Sequence, residues 1–142
     1  MGCIFCGIVA GEAPAVTIAE DQTALAFLDI NPATAGHLLV IPKRHSTDLL
    51  EIDPDDLTAV TLTAQRIAKV AVDVLGADGV NLLNCCGAHA WQTVFHFHMH
   101  VIPRYADGAR DHLTLPWRPG QGSDRAALIR VGERLTTALH PE

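Results

Sequence analysis

Three histidines stand at every second position, His96, His98 and His100, in the stretch FHFHMHVIPR. Imidazoles near neutral pH can serve as nucleophiles, proton carriers or metal ligands. A spacing of two puts all three on one face only if the segment is a β-strand, since on a helix they would fan out. Phe95, Phe97, Met99 and Val101 then line the opposite, core-facing side, and Pro103 closes the strand. Same-face neighbours on a strand lie roughly 6.5–7 Å apart and the outer pair roughly 13 Å, so one ion cannot hold all three rings. A catalytic row and a metal-binding or structural row both remain open on spacing alone. A solvent-exposed tag-like run does not fit, because the interleaved residues are apolar and the segment is internal.

A second group with possible chemistry is Cys3 and Cys6, a C-x-x-C pair that is either a redox couple or half of a zinc site. Cys85 and Cys86 are adjacent inside an apolar run, a poor geometry for a disulfide. Reduced thiols are therefore expected, which together with the lack of a basic, then apolar leader places the chain in the cytoplasm. The opening MGCIFC carries Cys6 where a myristoylation signal needs Ser or Thr.

The 142 residues suit a single domain, and 49% hydrophobic residues are enough for an ordinary core. A net charge of −6 without a Lys or Arg cluster excludes a broad nucleic-acid or anionic-membrane surface but leaves room for a small anionic ligand. No apolar run approaches the roughly 18 residues of a membrane-spanning helix.

The elements that must position these groups read as an α+β fold, an antiparallel sheet with one long packed helix and a C-terminal helix. AVTIAEDQTALAFLDI suggests a hairpin from Ala15 to Asp29, broken by Glu20 to Thr23. GHLLVIPK, residues 36–43, has the continuous apolar character of a strand covered on both faces, entered after the turn NPATAG. Asp53 and Pro54 open a helix that runs to Leu75 and buries Leu57, Val60, Ala64, Ile67, Val70 and Val74, ended by Gly76 and Gly79. GVNLLNC is a strand, CGAHAWQ a loop, and residues 94–103 the histidine strand. A long loop follows, then a helix from Ser123 to Leu139.

The run His96-Phe97-His98-Met99-His100-Val101-Ile102 resembles the H-φ-H-φ-H-φ-φ signature, φ being hydrophobic, of the histidine triad (HIT) superfamily of nucleotide hydrolases and transferases. FLDINPATAGHLLVIPKRH, residues 27–45, is similar to that family's nucleoside-binding segment, and WQTVFHFHMHVIPR to its phosphate loop and catalytic strand. The resemblance spans Cys3 to Arg104 and is of the bacterial type, leaving residues 105–142 as a C-terminal loop and helix within the same domain.

It implies a homodimeric hydrolase of purine nucleotide conjugates (phosphoramidates, acyl-adenylates or dinucleoside polyphosphates) that cleaves at the α-phosphate through a nucleotidyl-histidine. A nucleotidyl transferase or phosphorylase, and a zinc-holding nucleotide-binding regulatory module, are the alternatives. In this pattern His98 is the nucleophile, its other ring nitrogen donating to a backbone carbonyl. His100 bonds a phosphate oxygen, His37 stands near the leaving group, and His96 is the first residue of the triad. Asp29 receives the ribose hydroxyls, Phe27 and Ile30 form the slot for the base, and Gln92 and Thr93 hold phosphate oxygens. Cys3, Cys6, His45 and His96 match the structural zinc site of a subset of the superfamily. The chain departs from the pattern at Trp91, where the family usually has Gly, and at Cys85, where it often has an amide residue. His89, His112 and His140 carry no assigned role.

Overall fold

The computed structural model of the chain describes residues 2–120 and 122–142. Five strands form one antiparallel sheet: β1 (Thr17–Glu20), β2 (Ala24–Leu28), β3 (Leu38–Pro42), β4 (Gly79–Asn84) and β5 (Met99–Arg104), in the order β1-β2-β3-β5-β4. Helix α2 (Pro54–Leu75) lies between β3 and β4 in the chain, α1 (Ile4–Val9) precedes the sheet and α3 (Arg125–Leu139) follows it. Among the described residues no helix is long and apolar enough to cross a membrane.

The apolar runs of β2 and β3 are continuous because the sheet is covered on both faces, and the alternation of side chains splits them into two cores. Ala24, Ala26, Leu38 and Val40 meet Val60, Ala64 and Ile67 of α2, together with Phe97 and Val101. Leu25, Phe27, Leu39 and Ile41 face the other way and are covered by Phe5 of α1.

Helix α2 starts where expected. The Asp53 side chain accepts from the Asp55 N–H at 2.8 Å, Pro54 follows, and Gly76 ends the helix at φ 68°. Its buried stripe differs from the expected one, however. Asp56, Val60, Thr63, Ala64, Ile67 and Ala71 face the sheet, whereas Val70 and Val74 are 56% and 74% exposed. With 3.6 residues per turn Val70 falls at the edge of the stripe through 60, 64, 67 and 71, while Val74 is in line with Ile67 but lies in the exposed last turn of the helix.

Three further differences concern the ends of the chain and the histidine segment. Residues 4–9 form a helix that the sequence did not announce. Strand β5 begins only at Met99, so His96 and His98 lie ahead of it, His96 in a bend over residues 94–96, and Phe95 is exposed instead of facing the core. The C-terminal helix is present, N-capped by Asp124, but buries none of its residues.

The turn 29–37 is tied down at several points. The Thr34 hydroxyl donates to the Pro103 carbonyl at 2.6 Å, the Tyr105 hydroxyl donates to that of Ala35 at 2.7 Å, and the Asp29 N–H donates to the His37 carbonyl at 3.0 Å. Gly36 is required here: its φ is 86°, and a Cβ would come within 2.5 Å of Leu75 Cδ1.

Candidate functional site

The tautomer of each buried histidine follows from its backbone partner. His98 Nδ1 lies 2.8 Å from the His96 carbonyl oxygen. That oxygen can only accept, so Nδ1 carries the proton and Nε2 presents a free lone pair. The ring is buried, and burial holds its pKa below the ordinary histidine value, although the bond to His96 and the charge of Asp29 oppose this. Phe5 stands edge-on to it with centroids 5.2 Å apart. Asn84, at the end of β4, donates from Nδ2 to the His98 carbonyl at 2.9 Å. Asn84 carried no role on sequence grounds. An amide closing a strand directly opposite Met99 of the triad was the only signal, and it depended on knowing the pairing.

The other pair follows the same logic. The Ala33 N–H donates to His37 Nδ1 at 2.9 Å, so the proton of His37 is on Nε2, which lies 2.9 Å from His100 Nδ1. His100 therefore accepts at Nδ1 and holds its own proton on Nε2 as a donor. Burial, with His98 and His37 nearby, pushes the His100 pKa down to about 4. Burial also lowers that of His37, against the pull of Asp29. Asp29 Oδ2 stands 3.6 Å from His37 Nε2, while its Oδ1 accepts from the Asn31 N–H at 2.8 Å. One carboxylate thus caps the turn and faces the histidine pair.

These groups open onto a cavity of about 530 Å³ lined by Phe27, Asp29, Leu39, Thr93, His98 and His100, with α1 forming one wall through Ile4, Phe5 and Ile8. Ile30 lines its mouth and is 89% exposed. No Lys or Arg is among the lining residues.

Gln92 is placed differently from expectation. Its carboxamide is buried within the loop, accepting from the Gly87 N–H at 2.7 Å and donating to the carbonyls of Thr47 and Val94 at 2.8 and 3.1 Å. With both ends of the amide satisfied by backbone, its side chain braces the loop and leaves Thr93 as the polar loop side chain on the cavity, beside Val94. Trp91 adopts φ 72°, the left-handed region in which Gly is the unstrained residue.

Cys3, Cys6, His45 and His96 converge at the other end of the segment, with their donor atoms all within 4.8 Å of one another. The Cys3 Sγ to His96 Nδ1 distance is 3.5 Å, Cys6 Sγ lies 3.4 Å from His45 Nδ1 and 3.5 Å from His96 Nδ1, and the two Nδ1 atoms are 3.2 Å apart. A tetrahedral zinc with Zn–S near 2.3 Å and Zn–N near 2.05 Å implies S···N edges of about 3.5 Å and an N···N edge of about 3.3 Å. His96 Nε2 donates to the Pro42 carbonyl at 2.8 Å, which frees Nδ1 as a lone pair aimed into the cluster. The cluster is compatible with a structural zinc: two thiolates and two neutral imidazoles balance the ion's charge and fill its four positions.

The model of the family described as HIT domain matches residues 10–107. A crystal structure of a HIT-family member from Bacillus subtilis superposes with a TM-score of 0.89 at 36% identity, covering 100% of both chains. A zinc-bound histidine triad family protein from Mycobacterium smegmatis is 43% identical, with a TM-score of 0.74 over 94% of this chain and 98% of that one. The adenylylsulfatase HINT3 of Arabidopsis thaliana is 42% identical over 102 residues, 72% of this chain and 52% of that protein. With the family model covering most of its length and relatives this similar, the chain belongs to the HIT family.

Proposed function

We propose that the protein hydrolyses adenylyl or related purine nucleotide conjugates at the α-phosphate through a nucleotidyl intermediate on His98. The observation that carries this reading is the meeting, at one cavity, of an imidazole with an unprotonated Nε2 and a second imidazole with a protonated one. The His98 Nε2 lone pair forms a bond to phosphorus, and the bond from phosphorus to the leaving group breaks with its electron pair going to that group. An amine leaving group takes a proton from solvent as it departs; water then forms a P–O bond as the bond from phosphorus to His98 returns its electron pair to the ring, giving the nucleoside monophosphate and a proton that goes back to solvent. The His98 Nδ1–H stays on the His96 carbonyl throughout and stabilises the charge that develops on the ring. His100 Nε2–H holds a non-bridging phosphate oxygen, with His37 fixing its tautomer.

Asp29 accepts from the ribose hydroxyls, Thr93 meets the phosphate, and Phe27 and Ile30 enclose the base. The Arabidopsis relative is an adenylylsulfatase, acting on an adenylyl conjugate, which supports the same class. Cys3, Cys6, His45 and His96 would hold zinc, which when bound clips α1 to the start of the histidine segment. Reduced thiols there fit a cytoplasmic protein. A second copy would cover the exposed Val70 and Val74 of α2 and Leu82 and Leu83 of the sheet-edge strand β4. The function is tested by quenching the protein with adenylated conjugates and measuring intact mass. A nucleotidyl adduct that forms on the parent protein and is absent in His98→Ala is the expected result. Turnover with adduct on neither, or on another residue, overturns the assignment.

A further inference from the structure

The sheet ladder that holds the histidine segment stops one residue short of His98. Strand β3 pairs with β5 as far as Val40 opposite Met99, and β4 pairs with it as far as Asn84 opposite the same Met99. Ahead of that residue the backbone finds other partners. The Phe97 N–H donates to the Ser46 carbonyl at 2.7 Å, the His96 carbonyl accepts from His98 Nδ1, and the His98 carbonyl accepts from Asn84 Nδ2 at 2.9 Å. Of these three bonds, only the last depends on a side chain from outside the segment.

Asn84 reaches His98 from behind. Residues directly opposite each other on an antiparallel pair share a face, so Asn84 lies with Met99, which packs against the core under α2. His98 faces the nucleotide cavity, and Asn84 is not among the residues lining it. Its amide therefore touches neither substrate nor reacting atoms.

The other end of that amide is an independent observation. The His98 carbonyl can only accept, so Asn84 Nδ2 must face it. Asn84 Oδ1 is then left buried, with no hydrogen-bond partner among the described residues. A buried acceptor without a partner costs at least what one neutral hydrogen bond returns. On fold stability alone, an apolar side chain of the same shape would serve as well or better. The task that remains is orientation. His98 is anchored by its own Nδ1–H on the His96 carbonyl, so the direction of Nε2 follows the peptide planes on either side of residue 98. In-line attack tolerates little error, since a displacement of about 1 Å costs on the order of 100-fold in rate.

We propose that Asn84 is a positioning residue for His98: by holding the His98 carbonyl where the ladder has ended, its carboxamide fixes the peptide that aims Nε2 at phosphorus. The inference rests on the hydrolase reading above and adds no bond change to it.

The test compares the parent chain with Asn84→Leu, which keeps the shape and loses the donor, and Asn84→Ala, which loses both. Formation of the nucleotidyl adduct from adenosine 5′-phosphoramidate, timed by rapid quench and intact mass, should slow on the order of 10- to 100-fold in both variants. AMP affinity, read by calorimetry, should stay within about threefold of the parent, because the loss falls on the transition state. The melting temperatures should part, with Asn84→Leu at or above the parent and Asn84→Ala below it. In protein carrying isotope-labelled histidine, the His98 Nδ1–H resonance should broaden in both variants as its bond to the His96 carbonyl loosens. A rate that follows the melting temperature instead of the lost donor, or slowed chemistry beside an unchanged His98 resonance, makes Asn84 a structural residue and overturns the proposal. Adduct formed on His98 equally fast in all three proteins removes Asn84 and leaves the hydrolase intact, whereas a parent protein that forms no adduct overturns the hydrolase reading itself.

Discussion

The chain builds two clusters from nearly the same side chains, and they differ in which ring nitrogen the backbone leaves free. At one end, the Pro42 carbonyl occupies His96 Nε2, so Nδ1 faces His45 and the two thiols as a bare lone pair. At the other, Ala33 occupies His37 Nδ1, so a proton stands between His37 Nε2 and His100 Nδ1, 2.9 Å apart. Asp29, His37 and His100 also offer three donor atoms within 4.8 Å, but the proton already fills the space an ion would need. Ligand type alone does not separate a metal site from a proton-bearing pair; the second hydrogen bond of each imidazole does.

The contrast breaks most sharply at His98, the proposed nucleophile. His98→Ala should lower kcat about 10⁴-fold or more, with nucleotide affinity, read by calorimetry, changing only a few-fold. Residual multiple turnover near the parent rate would remove His98 from its role. Next in size is the metal end. Metal analysis should find about one zinc per chain in the parent and none in the Cys3→Ser/Cys6→Ser double variant. The double variant should melt about 10 °C lower, because binding free energy is also folding free energy, yet keep part of its activity. If metal removal erased activity in a folded protein, the two clusters would not be separate in function.

Asp29→Ala should weaken ribonucleotide binding by about 1.5–3 kcal/mol and that of 2′,3′-dideoxy analogues far less; equal losses would reduce Asp29 to its turn-capping bond with Asn31. The smallest effect is on pH dependence. The folded-state pKa values of His37, His98 and His100 lie below the ordinary histidine value near 6.5, that of His100 at about 4. The rings accordingly stay neutral as pH falls through 6.5, and the acid limb of kcat/KM should lie below that value. The unfolded chain takes up protons first, so the stability from these groups is complete above 6.5 and declines from there towards about 4. An acid limb at 6.5 would mean that the rings are less buried than described.

Much of this was legible in the residues. The pairing of β1 with β2 and the caps of α2 at Asp53 and Gly76 follow from local chemistry and spacing, while the grouping of C-x-x-C with His45 and His96 was implied by the family resemblance. What was not legible depended on tertiary placement. Six residues are too few to form a helix on propensity alone, so α1 exists because Phe5 packs on the sheet. The α2 stripe was misassigned at Val70 because Thr63 and Ala71, weakly apolar, hold buried positions instead, and at Val74 because the last turn of the helix is exposed. Gln92 and Asn84 are polar residues whose partners are backbone groups elsewhere in the fold, and no sequence pattern announces those bonds.

Phe5 sits between Cys3 and Cys6 in the chain and edge-on to both His96 and His98, at 5.9 and 5.2 Å. The Cys3–His96 contact closes a loop of 93 residues, and closure entropy delays such a contact relative to the local hairpin and helix. Phe5 meets Phe27 across only 22 residues, with ring centroids 5.4 Å apart, so α1 can cover its side of the sheet before those ends meet. The Cys3, Cys6, His45 and His96 cluster is thus a late arrival in folding, and thiol-reactive metals or oxidants that capture Cys3 and Cys6 early would strand a chain with its sheet formed and the cluster unassembled.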